Sequence, residues 1–519
     1  MLARVKQAKD AGSSSTLKPL DELARAAAEC HARGETVVLA HGTFDLLHIG
    51  HVRHLREAKR LGSVLFVTIT ADAFVNKGPG RPVFSEQMRA EMLCALEFVD
   101  FVGVVHEATA IPAINAVKPK VYVKGQDYRD AEQDITGGIL RELAAVESHG
   151  GRVSFTDEAT YSSSSLINRH LAVFDPTLDE FLESQRSKDA LDGLNSLIEK
   201  IRNFRVLFIG DAIIDDYNYV SSLGKSPKEN IIATQFGDRE VFAGGVLAAA
   251  KHVAEFCRDV EVVTLIGENC EYEDLLRSSM PANVTMHAIQ RPGMPTTRKA
   301  RYIDKGYLRK LFEVYYMDDT PMTAEQKREI DRIIVGRAEE FDLVVVTDFG
   351  HGLLTPSMIA TLQRHSRFLA VNAQSNSANM GYNLITKYDR ADYICIDAPE
   401  ARLAVSDRTS DIEHVASKLL PSRIDCPRIV VTHGKNGCVG YERDQGTVHV
   451  PAFTKTVVDT VGAGDAFFAV TAPLAAAGGR MDQLTFIGNA AGAIKVGIVG
   501  HRRSVEKVPL LKFLTTLLK

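Results

Sequence analysis

Ten consecutive residues, Gly42-Thr43-Phe44-Asp45-Leu46-Leu47-His48-Ile49-Gly50-His51, set two imidazoles three positions apart around a glycine. The loop follows an apolar run at residues 36–40 and precedes Val52, Leu55, Ala58 and Leu61, which recur at helical spacing. It is therefore expected to lead from a strand into a helix, where backbone N–H groups and the helix dipole favour phosphate. Two imidazoles at that point can donate hydrogen bonds to a five-coordinate α-phosphate, and Gly50 lets the backbone approach it closely. Such a site moves a nucleotidyl group with no nucleophile from the protein, because the acceptor's own phosphate attacks. His48 and His51 are the catalytic candidates; Gly42, Thr43, Phe44 and Gly50 are the candidate nucleotide contacts. A bare H-x-G-H fits two surface histidines beside a turn equally well, and only the full string in its strand-to-helix setting outweighs that alternative.

A second chemical centre stands near the other end, at Asp459-Thr460-Val461-Gly462-Ala463-Gly464-Asp465. Small residues at a helix start present several N–H groups to one anion, as a transferring phosphoryl requires. Asp465 follows directly and can accept the proton of an attacking hydroxyl as general base. The competing reading is a glycine-rich turn with a capping carboxylate.

Both loops need scaffolds, and the chain has room for them. Its 519 residues call for two to four domains at roughly 100–200 residues each. A composition 45% hydrophobic and 24% charged excludes wholesale disorder, and a net charge of -5 argues against a nucleic-acid coat or an anionic-membrane binder. Seven scattered cysteines without a C-x-x-C pair suit a reduced, cytoplasmic protein. The first 16 residues lack the apolar core of a signal peptide, and no stretch reaches the ~18 apolar residues of a membrane span.

Apolar runs at 36–40, 64–69, 102–105 and 121–123, with a helix expected over 86–99, make the first half an α/β unit with a mostly parallel sheet. The second begins with a buried strand at 205–209 and ends with helical patterns after Gly464 and over 508–518; residues 221–241 and 299–317 read as a β-rich lid. The expected boundaries are 1–33 for a leader and first helix, 34–175 for the first domain, 176–203 for a helical linker and 204–519 for the second domain.

At this point the first half resembles the cytidylyltransferase-like nucleotidyltransferases, whose signature is G-T-F-D-x-x-H-x-G-H, and the expected fold is Rossmann-like. The resemblance implies that Lys124, in Lys124-Gly125-Gln126-Asp127-Tyr128, binds substrate or triphosphate. It implies that Ser162, Ser163 and Ser164, in Tyr161-Ser162-Ser163-Ser164-Ser165-Leu166-Ile167, open a helix beneath the nucleotide phosphates. Taken alone the serine run reads as an N-cap. Lys77 and Arg81 fit a phosphate clamp or a solvated basic loop equally well.

The second half resembles the ribokinase-like (PfkB) sugar kinases, for which D-T-x-G-A-G-D is nearly diagnostic. That resemblance implies sugar-binding roles for Asp211, Asp215, Gly244 and Gly245. It implies nucleotide-binding roles for Thr432, Gly434, Gly437, Gly462, Ala463, Gly464 and Asn489, with the stretch 492–500 beside the adenine. It also implies ATP with Mg²⁺, and leaves a monovalent cation open. Thr347-Asp348-Phe349-Gly350-His351-Gly352-Leu353-Leu354-Thr355, Asn372-Ala373-Gln374 and Tyr382-Asn383-Leu384-Ile385-Thr386-Lys387-Tyr388 narrow the match to the heptose-7-phosphate kinase domains of bifunctional ADP-heptose synthesis proteins.

Three features depart from that subgroup. The domain order is inverted. The N-x-x-E element tied to Mg²⁺ reads Asp397-Ala398-Pro399-Glu400, so Asp397 and Glu400 become indirect metal candidates. The polar residue expected after the di-glycine is missing, Val246-Leu247-Ala248 being apolar. Two readings follow. One is a bifunctional enzyme that phosphorylates a sugar phosphate at its anomeric hydroxyl and joins a sugar 1-phosphate to a nucleotide, AMP from ATP in preference to CMP from CTP. The other is an active nucleotidyltransferase, with CTP or another phosphate acceptor, attached to a regulatory sugar-binding module. In both the partners are small molecules, not nucleic acid or membrane, and a homo-oligomer is compatible with either.

Overall fold

Uniformly apolar runs of five to seven residues suit strands covered on both faces. In the computed structural model, which describes residues 16–125, 138–156, 163–170, 174, 176–186, 190–268, 271–306, 308–318, 320–454 and 456–519, they form two parallel sheets in separate units. One unit comprises Met1–Pro176 with Leu511–Lys519, the other Thr177–Leu510. The expected nucleotide contact Ser162 and the motif residues Gln126, Asp127, Tyr128 and Tyr161 lie outside the described residues.

In the first unit β1 (Val37–Gly42), β2 (Val64–Thr70), β3 (Phe101–Val105), β4 (Val121–Gly125) and β5 (Arg152–Thr156) run parallel in the order β3-β2-β1-β4-β5. Successive side chains of β1 go to opposite faces. Val38 and Ala40 pack with Leu55 and Ala58 of the helix Ile49–Arg60, while Val37 and Leu39 pack with Leu23, Ala27 and Ile114 on the other side. The strand order reverses between β1 and β4, and at such a reversal the loops leaving the two strands diverge and open a crevice. The helix expected over 86–99 spans only Glu86–Cys94, because Leu96, Phe98 and Val99 turn back onto the core of this sheet.

The helix expected at the end of the chain, Lys507–Leu518, does not stay within the second domain as the 204–519 boundary has it: from Leu511 onward it belongs to the first unit. The reason is specific packing. Asn168 Nδ2 donates to Thr516 O at 2.7 Å, and a Cβ on Gly78 would collide with the Phe513 ring.

The second unit is built on nine strands: β6 (Arg205–Gly210), β9 (Asp259–Gly267), β10 (Val284–Arg291), β13 (Leu343–Asp348), β14 (Leu369–Ala373), β15 (Tyr393–Asp397), β16 (Arg428–Thr432), β17 (Cys438–Glu442) and β18 (Gly446–Val450). Their order is β10-β9-β6-β13-β14-β15-β16-β17-β18, parallel up to β16 and antiparallel beyond. Every residue of β13 is buried, as expected at the centre of a doubly covered sheet. Helices Pro176–Gln185 and Ala190–Lys200 pack into this unit through Leu178, Leu182, Leu194 and Leu197, with Phe181 stacked on Phe486.

A separate four-stranded sheet carries the lid: β7 (Ala212–Lys225), β8 (Ile232–Gly245), β11 (Arg298–Asp304) and β12 (Arg309–Tyr316), in the order β12-β11-β7-β8. The first nine residues of β7 are buried and its last five are exposed, so the hairpin of β7 and β8 projects from the main body. Gly245 ends β8 at φ 60° and ψ -135°, a backbone region that essentially only glycine occupies. A Cβ there would lie 2.3 Å from Asp211 O, while Val246 N donates to that carbonyl at 3.1 Å. Gly245→Ala is accordingly expected to destabilise the second unit by about 3 kcal/mol through strain and overpacking. Urea unfolding followed by far-UV circular dichroism checks this, and an unchanged midpoint would contradict the packing described.

Candidate functional site

In the first unit the loop after β1 enters the helix Ile49–Arg60 with His48 as its N-cap. His48 Nδ1 accepts from Gly50 N at 3.1 Å, which places the proton of the neutral ring on Nε2. His48 and His51 stack with ring centroids 4.0 Å apart, and Phe44 meets His51 edge-on at 5.1 Å. Phe44 holds this position at φ 49°, an uncommon backbone for a non-glycine residue. The two expected histidines are thus brought together at the β1/β4 crevice.

What holds the loop was not visible in its motif. Asp45 is buried; its Oδ1 accepts from Val83 N at 2.7 Å and Phe84 N at 3.1 Å, and its Oδ2 lies 3.4 Å from Arg81. Arg81, ambiguous in the sequence, is no solvated loop residue: its side chain is only 2% exposed and its second terminal nitrogen donates to Asn168. Arg89, fully buried on the helix Glu86–Cys94, donates to the carbonyls of Thr43, Thr70 and Phe84 and to Asp72. It ties the histidine loop to the end of β2, a role that no local pattern around it announces.

Lys124 lies at the end of β4, buried, with Nζ 2.8 Å from Glu142 Oε2. Glu142 also accepts from Tyr122 Oη at 3.1 Å and Ala110 N at 3.3 Å. The ammonium is therefore oriented by an internal carboxylate. Two further histidines of this unit are held by threonine hydroxyls: His41 lies between Thr68 and Thr70 (2.9 and 3.2 Å), and His54 on Thr156 at 2.8 Å. Burial, reinforced by Lys124, pushes His41 down to about 3 and His54 to about 4. Burial, with His48 and His54 adding to it, pushes His51 to about 3, and burial lowers His48 as well. These rings are neutral at physiological pH and present N–H dipoles rather than charge. Burial also brings Lys77 down to about 8. Ser163 opens the helix Ser163–His170, and Ser164 is buried within it.

In the second unit a cavity of about 680 Å³ lies beyond the ends of β14, β15 and β16. Asn372, Asp397, Glu400, Thr432, Gly434, Gly437, Gly462, Ala463, Gly464, Asp465 and Asn489 all line it, which brings the expected nucleotide residues together. Gly462 caps the helix Ala463–Ala476 at φ 73°, and Asp465 sits in its first turn, buried, with Oδ1 3.2 Å from Gln374 Nε2. Burial pushes the Asp465 carboxyl upward. Ala452, Phe453, Val457, Ala493 and Val496 give the cavity an apolar stretch suited to a planar base. Asn489 Nδ2 is turned to Cys438 Sγ and Val450 O, both at 3.3 Å, so this amide braces β17 and β18.

Asp397 and Glu400 form a reciprocal capping box. Glu400 N donates to Asp397 Oδ1 at 2.8 Å, Asp397 N donates to Glu400 Oε2 at 3.0 Å, and Ser375 N reaches Glu400 Oε1 at 3.1 Å. Burial, then the neighbouring Asp397 charge, pushes Glu400 upward. Among the described residues no group of three His, Cys, Asp or Glu side chains is arranged to hold a metal ion.

The expected sugar contacts are placed less simply. Asp211 Oδ2 accepts from Phe349 N at 3.1 Å and His351 N at 3.3 Å, joining the loops after β6 and β13 where the sheet order reverses; burial and nearby Asp348 raise it to about 7. Asp215 is paired with Arg301 of β11 and lies 3.1 Å from His501 Nε2. Burial alone would raise it, but these two neighbours hold it far below the usual carboxylate range. A Cβ on Gly244 would lie 1.9 Å from Asp215 Oδ2. The space left by the di-glycine is thus taken up by Asp215 and the Asp211 carbonyl, not by an open approach for sugar.

The two crevices, each at the carboxyl edge of a parallel sheet and beside a helix start, define an α/β protein with two candidate phosphate sites in separate units. Residues 203–508 match the pfkB family of carbohydrate kinases, and the chain belongs to that family. Residues 39–169 match the cytidylyltransferase-like family. The chain is similar to the bifunctional protein HldE of Citrifermentans bemidjiense, 43% identical over 157 residues that cover 30% of this chain and 31% of that protein. It resembles HldE of Syntrophotalea carbinolica at 43% over 142 residues, 27% of this chain and 28% of that one. The matched region therefore spans about a third or less of these relatives' length. Phosphofructokinase-2 from Escherichia coli, solved in complex with potassium, superposes with a TM-score of 0.50 at 15% identity, covering 61% of this chain and all of that one, a likeness of fold. Among the described residues no helix is long and apolar enough to cross a membrane.

The buried neutral imidazoles make the first unit acid-sensitive. Their folded pKa values lie below the unfolded value near 6.5, so the unfolded chain binds protons first as pH falls. Stability contributed above about pH 6.5 is expected to decline steadily between pH 6.5 and 4. Thermal unfolding across that range checks this, and a flat first-unit midpoint would contradict it.

Proposed function

We propose that the chain is a bifunctional enzyme of nucleotide-activated sugar synthesis. One observation carries the reading: each unit sets its candidate transition-state groups at a helix start on the carboxyl edge of its own sheet, His48 and His51 in one and Asp465 in the other. In the second unit the anomeric hydroxyl of a sugar phosphate attacks the γ-phosphorus of ATP. Its proton passes to Asp465, the β–γ bridging P–O bond breaks, and ADP leaves. The upward-shifted carboxyl is a better match to a hydroxyl proton than an exposed aspartate. The N–H groups from Gly462 onward face the moving phosphoryl.

In the first unit a phosphate oxygen of a sugar 1-phosphate attacks the α-phosphorus of a nucleoside triphosphate, and pyrophosphate leaves. His48 and His51 donate to the α-phosphate oxygens, and Lys124, oriented by Glu142, neutralises the departing charge. The motifs at 347–355, 372–374 and 382–388, which resemble those of heptose-7-phosphate kinase domains, support a heptose phosphate as the sugar and with it ATP as the nucleotide donor.

Mg²⁺ accompanies ATP in this reading. Asp397 and Glu400 border the cavity but spend oxygens on backbone N–H groups, which fits contact through metal-bound water. The ion supplies charge neutralisation on the phosphates. All substrates are small soluble molecules, in keeping with work in the cytoplasm.

The closed Asp215–Arg301–His501 cluster favours a second reading, in which the kinase-type unit senses a sugar phosphate without turning it over. ADP release by the full chain with MgATP across a panel of sugar phosphates separates the two, since turnover of any one of them contradicts the sensor. Asp465→Asn is expected to abolish phosphorylation and leave pyrophosphate release by the first unit unchanged; loss of both activities would contradict independent sites. His48→Ala and His51→Ala are each expected to cost a factor of roughly 10²–10³ in nucleotidyl transfer with ADP release unaffected. Near-normal transfer in either variant removes that residue from the mechanism.

A further inference from the structure

Lys495 is the last residue of the helix Met481–Lys495, and none of its surface is exposed. An ammonium in such a place is costly unless its donors are satisfied. Nζ donates to Val461 O at 2.7 Å and to Gly500 O at 2.8 Å. Those carbonyls come from two different loops, the one leading into the helix Ala463–Ala476 and the one following Lys495. The same two residues give their N–H groups to Asp459, Val461 N at 3.1 Å to Oδ1 and Gly500 N at 2.8 Å to Oδ2.

Each of these two residues is thus held on both sides, its N–H by a carboxylate and its C=O by an ammonium. The lysine stem runs directly beneath the glycine that starts the phosphoryl-binding helix, since a Cβ on Gly462 would lie 3.4 Å from Lys495 Cε. Tyr217 Oη and Lys310 Nζ complete the Asp459 shell, each at 2.8 Å.

Backbone carbonyls converging from separate loops are the ligand set of a potassium-sized monovalent cation. Here that convergence is already filled by the chain. We propose that Lys495 is a built-in monovalent cation, a positioning residue that fixes the loop before Gly462, and that phosphoryl transfer in this protein is independent of added potassium. The open question of a monovalent cation in the kinase unit is thereby answered against a bound ion, because the donor set does not fit one: its oxygens are taken. The claim about turnover rests on the kinase reading proposed above; the claim about the cation does not.

The test uses the full chain in buffers containing potassium, sodium, rubidium or choline chloride at equal ionic strength. The parent protein is expected to release ADP at rates within about twofold across the series and to show thermal midpoints within about 1 °C, as no ion is taken up on folding. A rate or a midpoint that rises with potassium or rubidium over choline would overturn the proposal, and this measurement needs no variant. Lys495→Met keeps the stem and removes the charge. It is expected to lower the second-unit midpoint and to cut kcat about tenfold or more with little change in KM for ATP, and potassium or rubidium should partly restore both. A Lys495→Met protein as stable and as active in choline as the parent would also overturn it. If the parent phosphorylates no sugar in any salt, the kinase reading fails, while the midpoints of parent and variant still decide the role of Lys495.

Discussion

Several of the described loops that carry candidate chemistry are pinned by an aspartate whose oxygens take backbone N–H groups. Asp45 holds the histidine loop through Val83 N and Phe84 N; Asp211 joins the loops after β6 and β13 through Phe349 N and His351 N; Asp459 joins Val461 to Gly500; Asp397 caps the helix Ala398–Val405. The constraint behind this is simple. Loops leaving parallel strands expose N–H groups that have lost their ladder partners, and at a crevice those groups cannot all be given to water. A carboxylate accepts several at once, and its charge must then be met in turn, by Arg81 for Asp45, Lys310 for Asp459 and Lys387 for Asp348. The cationic side chains in the crevices therefore do two kinds of work. Some face ligand space, while others, such as Arg89 and Lys495, are used up in holding the frame.

That division explains what the amino-acid sequence made legible. The strands and the helix starts were readable because hydrophobic runs and glycine-rich turns are local signals, and local signals also located His48, His51, Gly462 and Asp465. Arg89 was not readable: its partners are carbonyls of Thr43 and Thr70, tens of residues away, and an arginine within Glu86–Cys94 looks like any exposed helical arginine. Lys495 was hidden in the same way, as a cation near a helix C-terminus, where surface lysines are common. One signal was present but assigned to another purpose. Asp397-Ala398-Pro399-Glu400 has the D-x-x-E spacing of a capping box with proline at the second helical position, and this local reading accounts for its hydrogen bonds without a metal.

Asp215 and the di-glycine show local packing that resemblance alone does not describe. In sequence, two aspartates near two glycines suggested carboxylates reaching for sugar hydroxyls across an accommodating backbone. In the structure Gly244 is small because Asp215 occupies the place of its side chain, and Asp215 is in turn held by Arg301 and His501. A carboxylate so engaged can present only its remaining lone pairs to a ligand, so any ligand at this place meets the cluster as a whole, cations included. A cluster containing Arg301, with Lys299 buried on the same strand, suits a substrate that carries negative charge better than one that is only a polyol.

The overall charge of -5 fits the same picture. Handling polyanionic nucleotides does not need a basic protein, because the relevant field is local and set in sites of low dielectric. Helix N-termini at His48 and Gly462 supply part of it without any formal charge. Lys124 supplies part with its charge already directed by Glu142. The neutral histidines add dipoles that cost little to bury and leave no net charge when the crevice is empty. A crevice built from N–H dipoles and internally balanced ions carries little uncompensated charge, because ions such as Arg81 and Asp45, or Lys124 and Glu142, neutralise one another within the frame.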